Sequence, residues 1–220
     1  MPDMDVATSI QRLSAAIIPV VFGITVHEVA HGLMARRCGD RTAELQGRLT
    51  LNPLKHIDPV GSVVVPLVFT LLSLPPFGWA KPLPVNTRNL RRPKRDMVLV
   101  AMAGPASNLA MAIFWTLVFA AALHSAGPVF GTRQFLLSMA EFGIKTNVLL
   151  AIFNLLPIPP LDGGRVLRGL VPEGLGRTLD RVEPYGLILV LGLLLLRVLD
   201  LVLVPALNFV SRWFFAAAGA

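Results

Sequence analysis

The chain has 220 residues, of which 54% are hydrophobic and 15% are charged, and its mean hydropathy is +0.67. This composition excludes an ordinary soluble domain and indicates a polytopic protein of the lipid bilayer. The net charge of +7 comes from Lys and Arg residues that lie between apolar runs. That distribution favours membrane orientation over nucleic-acid binding as its cause. Cys38 is the only cysteine, so we expect no intramolecular disulfide and no cysteine-based zinc site.

Long apolar runs predict about four spanning helices, because one crossing of a bilayer takes about 20 residues. These runs cover residues 13–35, 97–123, 135–156 and about 185–207. A shorter apolar run, residues 60–74, contains Pro66 and predicts a re-entrant segment. Residues 47–51 predict a short membrane-associated β element.

The predicted fold class is therefore an all-α polytopic membrane protein. We expect a single domain over residues 1–220, with a core at about 13–170 and a C-terminal apolar helix at about 185–207.

Basic residues discriminate between a full crossing and a re-entrant course for residues 60–74. Five lie in 36–58, six in 81–95 and four in 165–181, whereas the connection between the second and third long runs has only Arg133. A full crossing would put the first two basic segments on opposite sides, against the positive-inside bias. A re-entrant course puts all three on the cytoplasmic side, and a full crossing stays open as the alternative. The expected location is the cell (inner) membrane, as a multi-pass protein.

The first spanning helix carries the motif HEVAH. His27 and His31 are four residues apart, so a helix puts both imidazoles on one face, where they can share one metal ion. Glu28 lies beside them as the candidate general base. It is the only charged residue in 13–35, and an ionisable group in such a segment indicates a functional site. The alternative for the histidines is a buried hydrogen-bonded pair.

Asp162 is the candidate third ligand. It lies in NLLPIPPLDGGR, where prolines break a helix and two following glycines let the backbone approach closely. With the re-entrant course, Asp162 lies towards the same inner face as His27 and His31. Two histidines and one carboxylate leave a fourth ligand position open, as in catalytic zinc sites, so we expect one Zn²⁺ per chain. The alternative for Asp162 is an ordinary turn residue.

Further polar residues are candidates for other roles. Asn108 and Asn154 lie in apolar segments, where either can bind substrate or donate to a developing oxyanion. Hydrogen bonding between helices is the open alternative for each. His56 lies between two turn signals and has no partner at ligand spacing, which favours a structural or interfacial role over metal binding.

HEVAH in a membrane helix, AGPASN and NLLPIPPLDGG together resemble the site-2 protease family of intramembrane zinc metalloproteases, peptidase family M50. The resemblance covers about residues 13–170. NPLKHIDP and FGWAKPLPVN are similar to the compact bacterial and archaeal branch, without a PDZ or CBS domain. The resemblance implies zinc ligands His27, His31 and Asp162, the catalyst Glu28, and the substrate or transition-state contacts Asn108 and Asn154.

The resemblance also implies an intramembrane zinc endopeptidase, as in regulated intramembrane proteolysis. Such an enzyme hydrolyses peptide bonds within or near transmembrane segments, close to the cytoplasmic face, after the substrate helix partly unwinds. Expected partners are a transmembrane protein or peptide substrate and the lipid bilayer, with no nucleic acid; the sequence does not define the oligomeric state. The alternative is a non-proteolytic metal-binding membrane protein or transporter, which would not explain a glutamate inside HExxH. Four histidines are too few for a di-iron lipid hydroxylase.

Overall fold

The computed structural model describes residues 6–72, 74, 78–125 and 131–220, with side chains from Ser14 onward. Nine α-helices lie in this part of the chain: α1 (Val6–Arg37), α2 (Thr42–Leu45), α3 (Val65–Leu71), α4 (Pro93–His124), α5 (Thr132–Asn154), α6 (Asp162–Leu170), α7 (Glu173–Val182), α8 (Gly186–Leu195) and α9 (Asp200–Ala217). A π-helical turn, Pro59–Val64, leads directly into α3. Single 3₁₀ turns lie at Pro53–Lys55, Thr87–Asn89 and Glu183–Tyr185.

Four of the described helices are long and apolar enough to cross a bilayer: α1 from Ser14 onward, α4, α5 and α9. This confirms the all-α polytopic fold. Helices α1, α4 and α5 each pack against the other two, and α9 packs on α5 and α4. The first three predicted spans are present. Their helices are longer than predicted at every end except the C-terminal end of α5, which stops at Asn154.

The contact between α4 and α5 depends on a small residue. A Cβ on Gly143 would lie 2.3 Å from the indole of Trp115, so only glycine admits the Trp115 ring at this point. Phe214 and Phe215 of α9 pack on the same buried cluster. Small residues let helix backbones approach closely in lipid, where van der Waals packing drives helix association.

The C-terminal end of α1 has a glycine-dependent stop. The Gly39 N–H donates to the Arg36 carbonyl and the Asp40 N–H to the Ala35 carbonyl, which is the Schellman pattern, with Gly39 at φ +112°. The Asp40 carboxylate then accepts hydrogen bonds from the Asn86 N–H at 2.7 Å and the Asn89 amide at 3.0 Å. The end of α1 is thereby joined to the segment that precedes α4.

The apolar segment Pro59–Leu71 is shorter than the four spanning helices. Its helical residues extend over about 20 Å, too little for a hydrocarbon core of about 30 Å. On the return, the Trp79 N–H donates to the Gly61 carbonyl at 3.1 Å and the Lys81 N–H to the His56 carbonyl at 2.9 Å. The two ends of the excursion therefore lie side by side, as the re-entrant expectation requires.

The three basic segments meet at this same end of the bundle. The Arg48 guanidinium donates to the Lys81 carbonyl at 3.0 Å, which joins the first segment to the second. The Lys94 ammonium donates to the Val171 carbonyl at 2.7 Å, which joins the second to the third. This arrangement agrees with the topology that the distribution of Lys and Arg favours.

The C-terminal apolar run differs from the single helix expected over 185–207. It forms α8 and α9, which are separated at Arg197, the one described non-glycine residue with positive φ, at +56°. The Arg197 N–H donates to the Leu194 carbonyl and the Val198 N–H to the Leu193 carbonyl, so a Schellman motif ends α8. The fourth spanning helix is consequently α9.

The short β element expected over 47–51 is not confirmed, and the described residues contain no strand. The Arg48 N–H donates to the Ala43 carbonyl and the Thr50 N–H to the Arg48 carbonyl. These local turns use backbone groups that a strand would offer to a neighbour.

Candidate metal centre

His27 and His31 lie one turn apart on α1, as their spacing predicts, and both are buried. Their Nε2 atoms are 3.0 Å apart. Asp162, the first residue of α6, reaches the same point: its Oδ2 atom lies 3.2 Å from His27 Nε2 and 3.3 Å from His31 Nε2. These three side chains are the metal-ligand group that the described residues form.

Two glycines bring Asp162 to the histidines. A Cβ on Gly163 would lie 2.3 Å from the carbonyl oxygens of Leu155 and Leu156, and one on Gly164 would lie 2.5 Å from the Pro159 nitrogen. The start of α6 therefore packs directly on the chain that leaves α5. The sequence-based reason for glycine at these positions, close backbone approach, is confirmed.

The hydrogen bonds of the two imidazoles determine which nitrogen of each ring carries the proton and which has a free lone pair. The Val100 carbonyl, which can only accept, lies 2.7 Å from His31 Nδ1, so this nitrogen carries the proton. His27 Nδ1 lies 2.6 Å from Asn108 Oδ1, also an acceptor. In the neutral rings, both Nε2 atoms therefore point unprotonated at Asp162.

This arrangement fits Zn²⁺. Among the described residues, Asp162 Oδ2 is buried and has no hydrogen-bond donor, although two lone pairs face it. Three such acceptors in contact repel one another, and a metal cation between them would offset this repulsion. Zinc bound tetrahedrally, with ligands at about 2.0–2.1 Å, separates its ligand atoms by about 3.3 Å, close to the distances found here.

Gly104 of α4 provides the space for the two rings. A Cβ at this position would lie 2.4 Å from His31 Nε2 and 2.6 Å from His27 Cε1. Any larger residue would displace the atoms that face Asp162.

Glu28 is half-buried and lines the same cavity as the metal-ligand group. Its Oε2 atom accepts a hydrogen bond from the Leu83 N–H at 2.8 Å. Leu83 belongs to the returning segment 78–85, and its side chain packs at Gly32, where a Cβ would lie 2.3 Å from Leu83 Cδ2. The returning segment thus orients the carboxylate of Glu28.

The cavity has a volume of about 750 Å³ and lies between α1, the re-entrant segment, the returning segment and the start of α6. Its wall is mainly apolar and includes Val20, Val21 and Ile24 of α1. Asn154 also lines it, and its Nδ2 donates to the Leu150 carbonyl at 2.9 Å. The volume is in the range of ligand pockets, about 300–1,000 Å³.

Asn108 does not lie in the cavity, where a substrate contact is expected. It is fully buried behind His27 and is not part of the cavity wall. Its Oδ1 faces His27 Nδ1, and its Nδ2 donates to the Gly23 carbonyl at 3.1 Å and to Asn147 Oδ1 at 3.0 Å. Both its amide nitrogen and its amide oxygen are thus engaged by groups on other helices, which favours the interhelical alternative over substrate binding.

His56 has the structural position that its sequence context favours. It is buried and lines the cavity, it is not part of the metal-ligand group, and its Nε2 donates to the Thr50 carbonyl at 2.8 Å. Sequence reasoning missed Asn147, although the signal that selected Asn108, an amide in an apolar run, is present there as well.

A helical bundle that crosses the membrane and holds a buried His–His–Asp group defines a membrane-embedded metalloprotein. The sequence profile of peptidase family M50 matches residues 126–197. The chain is 41% identical over 200 residues to "Putative zinc metalloprotease YwhC" of Bacillus subtilis, which covers 87% of this chain and 85% of that protein. It is 32% identical over 196 residues to "Putative zinc metalloprotease Rip2" of Mycolicibacterium smegmatis, which covers 89% and 68%.

A shorter match, 39% identical over 70 residues, relates the chain to "Putative zinc metalloprotease MJ0611" of Methanocaldococcus jannaschii and covers 31% of this chain and 32% of that protein. No solved structure gives a significant match. The chain belongs to peptidase family M50, the site-2 protease family of zinc metalloproteases. It is an integral membrane metalloprotease, and its cofactor is Zn²⁺.

Proposed function

We propose that the chain is an intramembrane zinc endopeptidase that hydrolyses peptide bonds within or near transmembrane segments of membrane proteins. The observation that carries this proposal is that Glu28 and the group His27, His31 and Asp162 line one apolar cavity inside a membrane-spanning bundle. A metal site that only stored or moved an ion would not need a carboxylate outside the ligand set and facing the same space.

In this proposal, His27, His31 and Asp162 hold the metal through Nε2, Nε2 and Oδ2. When bound, Zn²⁺ supplies Lewis-acid activation of the scissile carbonyl and of the attacking water. Glu28 takes the proton from that water and gives it to the leaving amine. The Leu83 N–H keeps the Glu28 carboxylate oriented, because a hydrogen bond to a charged acceptor is among the stronger ones in proteins.

The cavity supports a substrate that enters as extended chain. Val20, Val21 and Ile24 form an apolar wall that suits the side chains of a transmembrane segment. An intact helix uses its backbone groups internally, so its peptide carbonyls are poorly accessible until it unwinds locally. We assign Asn154 as the substrate contact, since its amide lies in the cavity wall and offers an acceptor for a peptide N–H.

The end of the bundle that carries the basic segments also carries the end of α1 and the start of α6. The positive-inside bias supports a cytoplasmic location for this end, and hence a site near the cytoplasmic face of the cell (inner) membrane.

The test is Glu28→Gln, with Glu141→Gln as the matched control. Both replace a carboxylate by an amide in a spanning helix, but Glu141 pairs with Lys145 on α5, away from the cavity. Purified protein is assayed for zinc content and for cleavage of a synthetic transmembrane peptide. We expect Glu28→Gln to keep one zinc per chain and to lose cleavage by about 10²–10⁴-fold, while Glu141→Gln keeps both.

The runner-up is a non-proteolytic metal-binding membrane protein or transporter. In that case the wild-type protein would bind zinc and cleave no membrane peptide, and zinc uptake into proteoliposomes would depend on His27 and not on Glu28. That combination of results would overturn the proposed endopeptidase.

A further inference from the structure

A chain of buried amides runs from the metal-ligand group across three spanning helices. It begins at His27 on α1, continues through Asn108 on α4 and ends at Asn147 on α5. His27 Nδ1 lies 2.6 Å from Asn108 Oδ1, Asn108 Nδ2 lies 3.0 Å from Asn147 Oδ1, and Asn147 Nδ2 lies 2.8 Å from the Gly143 carbonyl. Asn108 and Asn147 are both fully buried.

Two backbone carbonyls determine the direction of every hydrogen bond in this chain. The Gly143 carbonyl can only accept, so the nitrogen of the Asn147 amide faces it and the oxygen faces Asn108. One of the two end atoms of the Asn108 amide contacts this oxygen, Asn147 Oδ1, and also the Gly23 carbonyl at 3.1 Å. Both of these partners are acceptors. That atom must be nitrogen, which leaves Asn108 Oδ1 towards His27.

This direction decides the tautomer of His27. Because Asn108 presents an oxygen, His27 Nδ1 must carry the proton, and Nε2 is left as the lone pair that faces Asp162. If the Asn108 amide were reversed, His27 would place its proton on Nε2 and could not bind a metal through that atom. His31 differs, because the Val100 backbone carbonyl fixes its tautomer.

Close packing keeps the outer amide in place. A Cβ on Gly23 would lie 2.9 Å from Asn147 Oδ1, so the absence of a side chain at Gly23 lets α1 and α5 approach until the amide reaches Asn108. The same residue supplies the second carbonyl that holds Asn108 Nδ2.

We propose that Asn147 is a positioning residue of the zinc site, which acts through Asn108 to hold His27 as the metal-binding tautomer. The proposal rests on His27 being a zinc ligand, as proposed above. Partners of this kind, one shell beyond the ligands, change metal affinity by about 10–100-fold when they are removed.

The first measurement is zinc affinity, by competition with a chelator, for Asn147→Leu, Asn108→Leu and the double variant. We expect Asn108→Leu to weaken binding about 10–100-fold. Asn147→Leu should weaken it by about fivefold, the value of one neutral hydrogen bond, because the Gly23 carbonyl still holds Asn108. The double variant should bind as Asn108→Leu does, because Asn147 acts only through Asn108.

Thr116→Val is the matched control. Thr116 is a buried polar residue of α4 whose hydroxyl donates to the Ala112 carbonyl within its own helix, so its loss perturbs packing without touching the amide chain. Gly23→Ala is a second test variant, because it displaces the Asn147 amide without removing a polar group, and it should weaken zinc binding in the same direction. The proposal would be overturned if Asn147→Leu and Gly23→Ala both bound zinc with an affinity within twofold of that of Thr116→Val. It would also be overturned if the losses of Asn147→Leu and Asn108→Leu were additive in the double variant.

The second measurement does not depend on bound zinc. Nitrogen-15 spectra of histidine-labelled, zinc-free protein distinguish the Nδ1–H and Nε2–H tautomers. We expect Asn147→Leu to reduce the population of the Nδ1–H tautomer of His27 and to leave that of His31 unchanged. An unchanged tautomer population at His27 would refute the proposed role of Asn147. If Asp162→Ala keeps zinc while Asn147→Leu changes the tautomer of His27, the proposed ligand set is wrong and the proposed role of Asn147 is right. If Asp162→Ala loses zinc and Asn147→Leu leaves the tautomer of His27 unchanged, the ligand set is right and the role of Asn147 is wrong.

Discussion

The Leu83 N–H donates to the Glu28 carboxylate at 2.8 Å, and this contact joins two parts of the chain that are 55 residues apart. One partner lies in a spanning helix and the other in a segment that returns from the re-entrant excursion. The returning segment is itself held at both sides: the Trp79 N–H donates to the Gly61 carbonyl, and the N–H of Asn86, the next residue after the segment, donates to the Asp40 carboxylate. The orientation of the proposed catalytic carboxylate therefore depends on backbone outside the helical bundle.

Removal of this one N–H should slow cleavage without loss of zinc. Leu83→Pro deletes the donor, and hydrogen bonds to charged groups contribute about 1.5–3 kcal/mol, so we expect a fall in kcat of about 10–100-fold. Leu83→Ala is the control, because it keeps the N–H and removes only the side chain that packs at Gly32. An equal loss of cleavage in the two variants would show that side-chain packing, and not the hydrogen bond, matters here.

Gly104→Ala should abolish tight zinc binding. The added methyl would lie 2.4 Å from His31 Nε2, and the ring cannot move without leaving Asp162. We expect a loss of zinc affinity of at least about 100-fold, measured by chelator competition. Gly192→Ala is the control, because apart from its chain neighbours and the backbone of α8 itself nothing lies within 4 Å of its Cβ position. There alanine should stabilise the helix by up to about 1 kcal/mol.

Acid should weaken the joint between α1 and the segment before α4. Burial alone raises the pKa of the Asp40 carboxyl, but hydrogen bonds from Thr42, Asn89 and Asn86 lower it below its ordinary value. A depressed pKa stabilises the folded state above the unfolded pKa of about 3.9, and this contribution is lost as the pH falls through the folded pKa.

Thermal unfolding in detergent across the range from neutral pH to about pH 3 measures this effect. The difference in Tm between wild type and Asp40→Asn should be constant at neutral pH and should shrink below about pH 4. A difference in Tm that grows as the pH falls would contradict the assignment.

The break between α8 and α9 places Arg197 at φ +56°, a region that costs an L-residue about 1–2 kcal/mol. Glycine avoids this cost but loses more entropy on folding, so Arg197→Gly should stabilise the protein by about 0.5–1 kcal/mol. Arg197→Val should destabilise it, because a β-branched residue is strained at positive φ. Tm values for both variants test this, and equal Tm values would show that the backbone at residue 197 carries no strain.

Much of the site follows from the sequence because side chains with a fixed helical spacing carry it. The HEVAH spacing on one face, and the glycines that follow Asp162, predict the group that the structure assembles at 3.0–3.3 Å. The distribution of Lys and Arg also predicts the re-entrant course, because charge bias acts on whole segments and does not depend on detailed packing.

The parts that sequence reasoning missed have physical causes. The Val100 carbonyl and the Leu83 N–H are backbone groups, and every residue type except proline supplies both, so no residue pattern marks them. The break at Arg197 requires a conformation that the apolar run does not signal, since glycine usually occupies it. The roles of Asn108 and Asn147 depend on which helices are neighbours, and that information exists only after packing.

The two imidazoles of the metal-ligand group differ in how strongly substitution of the neighbouring residue affects their orientation. A main-chain oxygen at Val100 holds His31, and any apolar side chain of similar size at that position leaves the oxygen where it is. An amide side chain at Asn108 holds His27, and almost every codon change there removes it. In a library of single substitutions, residue 100 should therefore tolerate conservative exchange, whereas residue 108 should accept almost none. The orientation of His31 thus depends on the backbone of the fold, whereas the orientation of His27 depends on one particular side chain.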